Sequence, residues 1–126
     1  MTASSLPAAL RAGAEGLYTL EAAAGLIIAH GTWLSRDDFT RFIYHGAGTA
    51  AIDWETAVDA LDAGELPSSG GEKRMLRLAA SLADRAPVSL GEAIVGIDDR
   101  NVGLLIKAIH HASGRRQFPI ASAVAA

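Results

Sequence analysis

Four histidines, His30, His45, His110 and His111, are the side chains best suited to ligate a metal or move a proton near neutral pH. No two of them have H-E-x-x-H or H-x-x-x-H spacing, and the adjacent His110 and His111 point about 100° apart on a helix. All four fall shortly before a glycine, Gly31, Gly46 or Gly114. A helix ending there offers unpaired carbonyls and the negative end of its dipole, so a capping role accounts for them. The sharper alternative is a metal held between three helix ends with Asp98 or Asp99. The acid pairs Asp37–Asp38 and Asp98–Asp99 suit helix starts as well as they suit acid–base chemistry. Serines are plentiful, but there is no G-x-S-x-G elbow to raise one as a nucleophile. The chain has no cysteine, which excludes disulfides, thiolate catalysis and cysteine zinc sites. The sequence therefore points to no catalytic residue, no metal ligand and no cofactor, and away from an enzyme.

One stretch raises a sharper question. "SSGGEKRMLRLAASLAD", Ser68 to Asp84, resembles the signature helix of ABC-type ATPases, which implies Ser69, Gly70 and Gly71 contacting a nucleotide phosphate. That family also needs a G-x-x-x-x-G-K-[ST] loop, and none exists here. Ser69 and Glu72 have S-x-x-E spacing, the capping box, in which each side chain satisfies a backbone donor of the other residue. The box explains both with no ligand. Gly70 and Gly71 are less well explained, which leaves an anion at this helix end as the alternative.

The elements that would position these groups are mostly helices. Thr19 is placed to cap "LEAAAGLIIAH", ending at Gly31. Ser35 is placed to cap "RDDFTRFIYH", with Leu34 and Phe39 at staple positions and Gly46 as the stop. "GAGTA" reads as a loop. Asp53 begins "WETAVDALDAG", whose face is Trp54, Ala57, Val58 and Leu61. Downstream of the Ser69 cap, Met75, Leu78, Ala79, Leu82, Ala83 and Ala86 share one side, and Pro87 ends the run. Ser89 and Glu92 form a second S-x-x-E pair that opens a short helix. Asp98 caps a last helix with Val102, Leu105, Ile106 and Ile109 as its stripe. No segment alternates like a strand, so the predicted fold is all-α, a bundle of five main helices and one short one.

At 126 residues the chain is expected to be one domain, 1–126. Its core is expected over 17–114, after a partly ordered segment 1–16 and before a loose tail 115–126. The N-terminus lacks the basic n-region and long apolar core of a signal peptide, and the longest apolar run, Ala22–Ala29, is too short to span a bilayer. A cytoplasmic protein with no membrane partner is the expectation. Net charge is −3. Residues 1–66 hold three bases against nine acids and residues 67–126 eight against five. These halves either face each other within the fold or leave the basic half for an anionic partner.

Two surfaces suggest partners. Trp33 and Trp54 sit at helix starts, and Arg41 and Tyr44 lie together in "RFIYHG"; such residues anchor protein interfaces. Lys73, Arg74, Arg77 and Arg85 gather on the polar side of helix 72–86, with Arg115 and Arg116 further on, as phosphate contacts require. The last residues, "AVAA", look like the alanine-ended tags that bacterial proteases recognise. "HGTWLSRDDF", "IDWETAVDAL", "SSGGEKRMLRLAASLAD" and "VGLLIKAIHHASG" together resemble short uncharacterised helical proteins of high-GC actinobacteria, over about residues 17–114. That resemblance implies no activity. The expected function is a protein-interaction module or homo-oligomer; the alternative is an accessory or regulatory nucleic-acid-binding protein using helix 72–86.

Overall fold

The computed structural model describes residues 6–114. The expected tail at 115–126, with Arg115, Arg116 and the "AVAA" end, lies outside the described residues. The chain is predominantly helical, as expected, but not strictly all-α. Among the described residues it forms seven α-helices, a 3-10 turn and one β-hairpin. In order these are α1 Leu6–Ala14, α2 Tyr18–His30, the turn Trp33–Ser35 and α3 Asp37–Thr40. The strands β1 Ile43–His45 and β2 Ala50–Ile52 follow, then α4 Trp54–Asp62, α5 Gly70–Asp84, α6 Leu90–Ile94 and α7 Asp99–Ala112.

The centre is α2. It is apolar almost all round, the pattern of a helix enclosed by others, and it packs against α1, α5 and α7. Ala23 and Ile27 are fully buried, beside a core that includes Trp33, Phe39, Met75, Leu76 and Ala79. Leu17 occupies the N-cap with no side-chain bond, in place of the expected Thr19; Gly16 N–H is instead satisfied by Glu21 Oε2 at 2.9 Å.

The hairpin overturns the helix expected from Ser35 to His45. Ser35 Oγ donates back to the Thr32 carbonyl at 2.8 Å, and Arg36 takes the N-cap position. After a single turn the chain becomes extended, because Phe39, Thr40, Phe42, Ile43 and Tyr44 are aromatic or β-branched and favour a pleated surface. Ile43 pairs with Ile52, Tyr44 with Ala51 and His45 with Ala50. This puts Ile43, Ala50 and Ile52 inward and Tyr44 outward. His45 is thus a strand residue, not a helix cap.

Within the N-terminal segment, Leu6–Ala14 form α1. α1 buries Ala9 and Leu10 and lies on β2. Gly13 makes that approach possible, since a Cβ there would overlap the Ala50 carbonyl oxygen. Further on, Asp53 caps α4, accepting from Thr56 N–H at 3.1 Å. Asp98 likewise caps α7, accepting from Asn101 N–H at 2.8 Å. Ser89 stands at the N-cap of α6 but makes no side-chain cap bond, so the second S-x-x-E pair does not close as a box.

The stripe expected on α7 is displaced by one residue, or about 100°. Asn101, Leu105 and Ala108 are buried, whereas Val102, Ile106 and Ile109 are 38 %, 44 % and 50 % exposed. The surface α2 turns to α7 is built from Ala22, Gly25, Leu26 and Ala29. It is shallow, and receives the small Ala108 edge of α7 in preference to its branched aliphatics.

Candidate interaction surfaces

The two expected tryptophan anchors belong to the interior. Trp33 has 0 % exposure; its Nε1–H donates to the Glu72 carbonyl at 3.1 Å, its ring centroid lies 5.4 Å from that of Phe39, and the Arg36 guanidinium covers it at 4.7 Å. Arg36 is itself held by a fork to Asp38, with Nε to Oδ1 at 2.9 Å and Nη2 to Oδ2 at 2.6 Å. Trp54 is also buried, at the start of α4. A helix start does not keep an indole at the surface when the preceding loop folds it inward.

Arg41 and Tyr44 do reach the surface. Arg41 stacks on Phe42 at 4.7 Å and pairs with Glu65 at 3.2 Å. Tyr44 is 65 % exposed, and its hydroxyl donates to Asp53 Oδ2 at 3.1 Å. That bond and the Asp53 charge raise the Tyr44 phenol above its usual range. The hydrogen bonds Asp53 accepts, chiefly from Thr56, lower the carboxyl. Asp59 and Glu65 share the same shallow depression, so its rim is mainly acidic.

The puzzling stretch proves to be a capping box. Ser69 Oγ accepts from Glu72 N–H at 3.1 Å, and Glu72 Oε1 accepts from Ser69 N–H at 2.7 Å. This second bond holds the Glu72 carboxyl below its usual range. Gly70 leaves room for Arg74, because a Cβ there would lie 3.2 Å from the Arg74 guanidinium; Gly71 faces open space. Of the basic residues on α5, Lys73 is exposed, Arg74 is half-buried, and Arg77 is engaged by Asp62 at 2.6 Å. Arg85 ends the helix in the left-handed conformation. Arg74 and Arg77 border a depression whose wall also carries Glu92. The Arg77–Asp62 pair joins the basic half to the acidic half, as does His111 Nε2 with Glu21 Oε1 at 2.7 Å.

Among the described residues no group of three or more His, Asp or Glu side chains has metal-binding geometry, and no helix is long and apolar enough to cross a membrane. Two surfaces have no counterpart in the motifs. One is the outward side of α7, where Val102, Ile106 and Ile109 form a stripe. The other is a cleft between α2 and α7, bordered by Arg11, Glu21, Lys107 and His111. Both follow from the rotation of α7, which periodicity alone did not reveal. The chain matches no family model, and no significant match was found among curated proteins or solved structures.

Proposed function

We propose that the chain is a helical protein-interaction module that associates with a second copy of itself through α7. The observation that carries this reading is the exposed stripe Val102, Ile106 and Ile109, three branched aliphatics on the outward face of one 14-residue helix. A helix of that length is about 21 Å long, enough for two copies to lie side by side. Gly103, with open space around it, gives that face a low point for close approach. A two-fold antiparallel pair of α7 helices sets the stripe of one copy against the same stripe of the other.

Sedimentation across a concentration series tests the reading. The parent should dimerise, and Ile106→Lys with Ile109→Lys should be monomeric with unchanged helicity. A parent that stays monomeric at every concentration refutes self-association. Binding to duplex DNA that weakens steeply with salt, with a slope flattened by Arg74→Ala and Arg77→Ala, would instead establish the nucleic-acid reading of α5.

A further inference from the structure

We infer that the cleft between α2 and α7 binds a small organic carboxylate with an aliphatic or aromatic body. The cleft has a volume of about 340 Å³. Ligand sites run from about 300 to 1,000 Å³ and combine an apolar lining with a few polar groups. Its floor is Ala22, Gly25, Leu26 and Ala29 of α2, faced by Leu104 and Ala108 of α7. Two cations border it, Arg11 from α1 and Lys107 from α7, and neither pairs with a carboxylate among the described residues. The other polar pair at the cleft, Glu21 and His111, is already joined at 2.7 Å. The site therefore sets two cations against one carboxylate, a positive balance, beside an apolar floor.

Gly25 is the residue that a purely structural role leaves unexplained. It lies inside α2, where glycine costs about 1 kcal/mol relative to alanine. Packing does not require it: a Cβ there would meet only the Arg11 guanidinium, at an ordinary 3.9 Å, and its φ is not positive. What the missing side chain does is keep the cleft open below Arg11.

The chemistry selects a carboxylate. The planar guanidinium of Arg11 matches the two oxygens of that group, with Lys107 as a second point charge. A phosphate is less suited, because the cleft runs along the middle of two helices whose backbone N–H groups are used internally, so no cradle of free donors is present. The Glu21 carboxylate in the wall adds repulsion toward a dianion.

Octanoate is a suitable probe, with octanol and acetate as controls, and binding to the full chain is followed by thermal shift and calorimetry. Octanoate should raise the melting temperature, while octanol and acetate at the same concentration should not. Gly25→Leu should fill the cleft and abolish the response while the unliganded protein melts no lower than the parent. Arg11→Met with Lys107→Met should weaken octanoate by about tenfold or more. An equal response to octanol, an undiminished response in the leucine variant, or no response in the parent overturns the inference. None of these readouts depends on whether α7 pairs with a second copy, which the Ile106→Lys and Ile109→Lys protein checks by retaining the octanoate response.

Discussion

Replacing Trp33 separates a core residue from an interface anchor. Its indole has 0 % exposure, lies against Phe39 and beneath Arg36, and bonds through Nε1 to the Glu72 carbonyl. Trp33→Ala removes the whole ring from a packed site, worth about 3–5 kcal/mol. Trp33→Phe keeps one ring but loses the hydrogen bond, about 1 kcal/mol, and opens a smaller void, for about 2 kcal/mol in total. Domains of this size hold only about 5–15 kcal/mol of stability, so the alanine change removes a large share of it. Near about 4 °C per kcal/mol, the two should melt roughly 16 and 8 °C below the parent. Urea unfolding followed by the remaining Trp54 gives the energies directly, and Tyr44→Ala, at an exposed site, serves as the low-cost comparison. The core assignment fails if Trp33→Phe stays within about 0.5 kcal/mol of the parent, the ordinary range for surface changes.

Gly13→Val should uncouple α1 from the hairpin, because the new side chain is driven against the Ala50 carbonyl. A loss of about 1–3 kcal/mol, with faster amide exchange in α1 and β2, is expected; unaltered exchange there would disprove the close approach. His30 should make the fold acid-sensitive. Burial pushes its imidazole below the usual range, Arg100 adds to that shift, and Glu72 and Asp98 oppose it. As pH falls below about 6.5 the unfolded chain takes up the proton first, so stability is full above that value and declines below it, by at most about 1.4 kcal/mol per pH unit. Urea midpoints between pH 8 and 5 measure the decline. It should flatten in His30→Gln, and a slope that persists unchanged in that variant assigns it to other groups.

What was legible in the sequence is what is decided locally. Ser69 with Glu72, Asp53 and Asp98 are caps whose bonds each close within one turn of chain, so spacing nominates them, although Thr19, Ser35 and Ser89 carried similar marks and make no cap bond. The hairpin was illegible because its strands are three residues long and one of them, Ala50–Ile52, carries two alanines. No alternation can be recognised over so short a span. Leu66, in the stretch between α4 and α5, is fully buried although nothing in "ELPSSGG" marks it as core. For the surfaces, composition identified Arg41 and Tyr44 as accessible and misplaced Trp33 and Trp54, because the burial of an indole is set by the loop that delivers it.

The orientation of α7 links the two proposals. Both of its candidate faces contain Leu105, so periodicity does not choose between Asn101 with Ala108 and the aliphatic set. Had α7 turned Val102, Ile106 and Ile109 inward, their remaining exposed surface would have been covered. At about 2 kcal/mol for a fully buried aliphatic side chain, leaving the three roughly half exposed forgoes about 2–3 kcal/mol. The opposing surface of α2 explains the choice. Ala22, Leu26 and Ala29 line the side of α2 that faces Ala108, and Lys107 and His111 stand at the margins of the cleft between the two helices. The orientation that opens a charged cleft on one side thus places the aliphatic stripe on the other. If the stripe is an interface between copies, Ile106→Lys with Ile109→Lys should dissolve the dimer and leave the stability of the monomer nearly unchanged. If those isoleucines were instead core residues, the same protein would unfold.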